Sequence, residues 1–158
     1  MAHGRDLGEK TEWITERGLD RKKEELLELM EKHPEKFELP SDLATEDGDK
    51  RPEEVDEMTW DIGNETAERY ADIIEKADSV LMKGPMGAFE EHPEGTKKVL
   101  EALKKCEGFT VMGGGHTSSL VKEFGYSMDD FDHVSIAGGA FVQCVSGGKL
   151  PAVEALDI

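Results

Sequence analysis

Cysteine is scarce in this chain. Only Cys106 and Cys144 occur among 158 residues, and neither has the close Cys or His neighbours of a zinc site. Two such residues argue against a disulfide framework, and with no paired base nearby they read as free thiols. Long apolar runs are missing too. None approaches the roughly 20 residues of a membrane span, and the opening MAHGRDLGEK lacks the apolar stretch of a signal peptide. A cytoplasmic location with no membrane partner is the expectation. Bases are few, 19 Lys and Arg against 36 Asp and Glu, leaving a net charge of −17. Such a surface argues against a nucleic-acid backbone as the main partner. Two familiar phosphate-binding signatures are also absent, since neither G-x-G-x-x-G nor Gly-Lys-Ser/Thr occurs.

What is present is unevenly spread. Residues 1–78 carry 25 acids and 12 bases, whereas residues 79–158 carry 11 and 7. Glycine runs the other way, with 12 of 17 in the second part. Backbone-dominated chemistry is therefore expected in the second half, beneath a solvating acidic skin in the first. Charge this far from zero along whole helix faces suits a protein of a high-salt cytoplasm.

Periodicity places a helix over about 19–33, with Leu19, Leu26, Leu27 and Met30 on one face and Pro34 ending it. Phe37 to Leu39 reads as a short strand. Residues 45–57, with seven acids and no period, read as a surface loop. Asn64 is expected to cap a helix running to about Ala77, with Tyr70, Ile73, Ile74 and Ala77 inward. A strand from Ser79 to Met82, a helix from Thr96 to Cys106 burying Val99, Leu100 and Leu103, and a strand from Phe109 to Met112 follow. A helix from about Thr117 buries Leu120, Val121 and Phe124 and ends at Gly125. His133 to Ile136 is the last strand. Strand, glycine turn and helix recurring in order predict an α/β fold, a parallel sheet with flanking helices, in which ligands bind beyond the carboxyl ends of the strands.

Three strands run into glycine turns: Gly84-Pro85-Met86-Gly87, Gly113-Gly114-Gly115 and Gly138-Gly139. The middle run opens a helix that begins His116, Thr117, Ser118, Ser119. Unhindered amides at a helix N-terminus, with hydroxyls beside them, suit a phosphate. The segment from Gly84 through Pro85 to Gly87 is stiff and partly apolar, suited to one face of a flat ring. Glu90 is placed to accept hydrogen bonds from two neighbouring sugar hydroxyls, and equally reads as a plain surface glutamate.

Taken together, VLMKGPMGAFE, EGTKKVLEAL, FTVMGGGHT, DHVSIAGGA and GGKLPAVEAL resemble, in order and spacing, the C-terminal part of phosphoglycerate kinase. GRDLG, FELPSDLA and WDIGNET are similar to that family's preceding segments, and the acidic bias resembles a haloarchaeal member. The resemblance implies a partial Rossmann-like C-terminal lobe over 1–158, the nucleotide-binding part, and reversible phosphoryl transfer between ATP and 3-phosphoglycerate with Mg2+. It implies that Gly84, Pro85 and Gly87 line the adenosine pocket and that Glu90 takes the ribose hydroxyls. Gly113, Gly114, Gly115, His116 and Thr117 would cradle the phosphates of ATP or ADP, with Gly114, Gly138 and Gly139 near the phosphoryl group in flight. Rows of backbone N–H groups fit a reaction that needs mainly positioning and charge stabilisation.

The chain departs from the family pattern in four ways. His116 stands where an aspartate usually helps hold the magnesium, and imidazole suits that ion poorly. The metal is then expected on phosphates and water, with no protein ligand, or His116 contacts a phosphate itself. Lys83 replaces an asparagine, and Ala137 the first glycine of the last run. The segments of the N-terminal, phosphoglycerate-binding lobe are absent, so 3-phosphoglycerate would be reached only through that lobe on a complementing polypeptide. Two readings stand beside transfer: a non-catalytic nucleotide-binding fragment, and an inert acidic interaction domain whose glycines only turn the chain.

Overall fold

The computed structural model describes residues 9–156, without the side chains of Glu9, Lys10, His116, Thr117 and Ser118. They form two compact units. One comprises the chain to Arg69 with Met86–Thr96, the other Tyr70–Pro85 with the chain from Lys97 onward.

The first unit opens with α1 (Glu9–Glu16), where the Arg17 guanidinium lies 4.1 Å from the Trp13 ring centre. Gly18, at φ +63°, then starts a 3-10 turn over Leu19–Lys22 that leads into α2 (Lys23–Lys32). That turn takes Leu19 off the 3.6-residue register, so the predicted single face over 19–33 does not form. Leu19 and Leu26 are exposed, and no residue of α2 is buried.

Phe37 to Leu39 is not a strand. Its extended residues pair with nothing in the sheet, and Pro40 follows. The strands here are instead β1 (Leu43–Thr45), β2 (Gly48–Lys50) and β3 (Thr59–Ile62), an antiparallel sheet of order β2-β1-β3. The predicted loop 45–57 thus contains a hairpin, held by Lys50 paired with Asp56 and Glu57. Opposite Ala44 and Thr45 the register skips Trp60, a bulge. The bulge leaves the Trp60 carbonyl to accept a 2.6 Å bond from the Ala88 N–H, while its indole stacks on His92 with ring centres 5.5 Å apart.

Helix α3 (Asn64–Glu75) is capped differently from the expectation. Asn64 is already its first residue and reaches sideways to Asp49. The capping is done from 23 residues away by Asp42, whose carboxylate accepts the N–H groups of Glu65 at 3.0 Å and Thr66 at 2.8 Å. Thr66 also donates its hydroxyl to Asp42. Gly63 is required here, because a Cβ would lie 2.3 Å from that carboxyl carbon. Thr66 and Ala67 are the buried residues, with Tyr70 and Ile74 below them on the same face and Ile73 turned outward.

The second unit is built on a parallel sheet of order β4-β5-β6, from β4 (Ser79–Lys83), β5 (Phe109–Gly113) and β6 (His133–Ser135). Helices α4 (Glu94–Lys105) and α5 (Gly115–Glu123) make the two crossovers, so the right-handed rule puts both on one face. Between them and that face lie Val99, Leu100, Leu103, Leu120, Val121, Met82 and Met112, each at most 4% exposed. Gly125, at φ +74°, ends α5: its N–H and that of Tyr126 return to the carbonyls of Lys122 and Val121. α6 (Gly138–Val145) and the short α7 (Pro151–Ala155) complete the unit. The predicted parallel α/β sheet with flanking helices is what forms, and the antiparallel sheet is an addition to it.

Candidate functional site

The carboxyl ends of the three parallel strands lie at one edge, and each passes into glycine. β4 ends at Lys83 and turns at Gly84, whose φ of +81° a residue with a side chain adopts only under strain. β5 ends at Gly113, and Gly114 follows at φ 129°, ψ 150°, a region reserved for glycine. The Gly114 N–H donates to the Ser135 carbonyl at 3.1 Å, drawing this turn against β6. β6 leads through Ala137, whose N–H meets the Ser135 hydroxyl at 3.3 Å, into Gly138.

The glycines of this edge divide by purpose. Gly113 makes room for packing, because a Cβ there would lie 2.3 Å from the Phe141 ring. Gly138 sits against the neighbouring turn, where a Cβ would be 3.1 Å from the Gly114 Cα. Among the described residues, Gly84, Gly115 and Gly139 have nothing within 4 Å of an added Cβ. Helices α5 and α6 start at this edge, and their N-caps, Gly114 and Ala137, carry no polar side chain that could bond to the helix. First-turn amides without such a cap are donors for an anion. His116 and Thr117 occupy the first turn of α5, and their side chains lie outside the described residues.

The other expected site residues fall in both units. Pro85 follows Gly84 in the second unit, whereas Gly87 and Glu90 belong to the first. At Gly87 a Cβ would be 2.0 Å from the Trp60 carbonyl oxygen, a packing reason for glycine that needs no ligand. Glu90 is exposed in a turn.

Three Asp–Thr clasps had no place in the sequence reading. Besides Asp42 with Thr66, Asp61 takes the N–H and hydroxyl of Thr96, each at 2.8 Å, and the Ile62 N–H at 2.7 Å. Asp132 takes the N–H and hydroxyl of Thr110 at 2.8 and 3.0 Å. The signal available was the paired strings NET and EGT, each setting a threonine at the third position of a helix. Burial pushes the Asp61 carboxyl up, against the bonds from Thr96. The Thr110 N–H and hydroxyl hold Asp132 below the usual carboxylate range. Asp61 also lines a cleft of about 290 Å³ with Glu46, Asp49, His92 and Glu94. Its carboxylate is already engaged, and among the described residues no group of three or more His, Cys, Asp or Glu is placed to hold a metal.

The sequence model of the phosphoglycerate kinase family matches residues 1–148. The chain belongs to that family. The phosphoglycerate kinase of Halorubrum lacusprofundi is 41% identical over 144 residues, covering 84% of this chain and 35% of that protein. That of Methanopyrus kandleri is 38% identical over 164 residues, 98% of this chain and 40% of that protein. The crystal structure of the Pyrococcus horikoshii phosphoglycerate kinase superposes with a TM-score of 0.84 at 30% identity, over 99% of this chain and 41% of that one. The chain therefore spans about two-fifths of the length of the family members it matches. Among the described residues no helix is long and apolar enough to cross a membrane.

Proposed function

We propose that the chain is the nucleotide-binding part of a phosphoglycerate kinase and holds ATP or ADP at the glycine edge of the parallel sheet. The observation that carries this is the pairing of two helix starts without side-chain caps, α5 and α6, with the open glycines Gly115 and Gly139. Small backbone, helix-start amides without an N-cap side chain and the positive ends of two helix dipoles are what a polyphosphate needs.

In the reaction, a carboxylate oxygen of 3-phosphoglycerate forms a bond to the γ-phosphorus of ATP as the bond to the ADP oxygen breaks. The backbone donors at Gly114, Gly115, Gly138 and Gly139 would orient the phosphates and stabilise charge spreading over the transferred oxygens. Gly113, His116 and Thr117 belong to the same phosphate cradle in this reading, with Gly84, Pro85 and Gly87 against the base and Glu90 on the ribose hydroxyls. Magnesium would neutralise phosphate charge, carried by the nucleotide and water. On this reading 3-phosphoglycerate would be held by an N-terminal lobe, and this chain would carry the nucleotide side of the reaction. The working place of such an enzyme is the cytoplasm, in glycolysis and its reversal.

Titrating Mg-ADP calorimetrically into the full chain in molar potassium chloride tests the reading. Saturable one-to-one binding is expected, weakened about tenfold in Glu90→Ala by loss of a charged hydrogen-bond acceptor. A folded chain that takes up no nucleotide would refute it.

A further inference from the structure

Trp60 is used twice in the first unit. Its carbonyl accepts the Ala88 N–H, and its indole carries the His92 ring, inclined to it by 20°. Between these two points the chain makes a turn. The Glu91 and His92 N–H groups donate to the Ala88 carbonyl at 3.0 and 3.1 Å, Phe89 is buried, and Glu90 stands exposed at the apex. Further back, the Met86 N–H donates to the Thr96 hydroxyl at 3.1 Å, and that hydroxyl donates to Asp61. Glu90 is thus presented by a segment whose near side is held by backbone bonds and whose far side rests on the His92 ring.

That ring is half-buried, and its Nε2 lies 3.8 Å from Oε2 of Glu46, which belongs to the turn joining β1 to β2. The other charged groups around it are all acidic. Asp49 of β2, Asp61 of β3 and Glu94 at the start of α4 line the same cleft, no Lys or Arg lines it, and Glu90 and Glu91 precede the ring in its own segment. An imidazole passes from neutral to charged between about pH 8 and about pH 5.5. Neutral, this one has its stack on the indole. Charged, it gains attraction to Glu46 and to the negative face of the indole beneath it. We propose that His92 is a positioning residue for Glu90: protonated, it locks the Ala88–His92 turn between Trp60 and Glu46, so that the turn, and the hold on the ribose that it carries, tighten as pH falls. The hold on the ribose rests on the nucleotide reading above; the lock does not.

Amide hydrogen exchange in the free full chain reads the lock, and calorimetry with Mg-ADP reads its consequence. After correction for the intrinsic pH dependence of exchange, the Glu91 and His92 N–H groups should be about two- to fivefold better protected near pH 6 than near pH 8, the size expected of a partly exposed ion pair. The Mg-ADP affinity of the parent relative to His92→Phe, which keeps a ring but takes no proton, should rise by a similar factor over the same range. The nucleotide phosphate also titrates near pH 6, alike for both proteins, so it cancels in that ratio. Glu46→Gln, at an exposed position, should flatten the protection difference. His92→Arg, a permanent cation that also stacks on aromatic rings, should keep the acid level of protection at both pH values. Protection that is the same at both pH values in the parent, or that changes equally in His92→Phe, overturns the proposal. So does an affinity ratio between parent and His92→Phe that stays constant with pH. A chain whose protection follows pH as expected and which takes up no Mg-ADP upholds the lock and refutes the nucleotide reading instead.

Discussion

The two units bury different chemistry. In the first, the buried residues are Val55, Ile62, Ala67 and Phe89 together with Asp42, Thr45, Thr59, Asp61, Thr66 and Thr96. In the second, among the described residues, Thr110 is the one polar residue buried beside Met82, Val99, Leu100, Ala102, Leu103, Met112, Leu120, Val121 and Phe131. The first is therefore held largely by hydrogen bonds that satisfy helix ends, the second by removal of apolar surface from water. The lesson is that an acid-rich segment with few large apolar residues can still fix its backbone, provided each buried carboxylate is fully occupied. Unoccupied, the same carboxylates would cost more than they contribute.

The largest expected effect is in the second unit. Leu100→Ala removes a side chain with no exposure and should cost about 2–5 kcal/mol in denaturant unfolding. In the first unit Asp61→Ala orphans the Ile62 and Thr96 N–H groups and the Thr96 hydroxyl, at about 2–4 kcal/mol. A loss under 1 kcal/mol would break the contrast between the units. Gly113→Ala must displace the Phe141 ring, about 1–3 kcal/mol.

Acid titration sharpens the comparison with opposite signs. Asp132 is lowered, so its contribution to stability is present above the ordinary value of about 3.9 and is lost as pH falls through the folded value. Asp61 is raised, so the folded state holds the extra proton. Its effect is a decline in stability as pH rises through the window from about 3.9 up to the folded value. Carboxyl carbon shifts followed by NMR should show Asp61 titrating above and Asp132 below an unfolded aspartate. Shifts in one direction for both would show that the two clasps are alike. The smallest effect is Gly139→Ala, with open space at the Cβ: stability within about 0.5 kcal/mol of the parent, and reduced Mg-ADP affinity if α6 holds phosphate.

How far sequence carried differs between the same two regions. The parallel strands and crossover helices were legible because apolar residues recur at helical spacing and glycine stops each strand; Leu100, Leu103, Leu120 and Val121 fall where that period puts them. The antiparallel sheet was not, because GDK and TWDI are too short and polar to show alternation, and TWDI joins Leu43–Thr45 only across the intervening hairpin and loop. The strand expected at Phe37–Leu39 failed for the converse reason: local propensity without a partner makes no sheet. The glycine runs were visible, but not which glycines are spoken for.

By itself the sequence determined the family, the parallel α/β half, the acidic skin and the position of the glycine turns, since all of these are local strings and periods. Tertiary structure decided the rest. It assigned the cap of α3 to Asp42 instead of Asn64, gave Gly87 and Gly113 packing duties, and left Gly115 and Gly139 without a packing neighbour among the described residues. Each of those facts depends on which segments distant in sequence meet in space and which do not, and no single stretch of chain contains it.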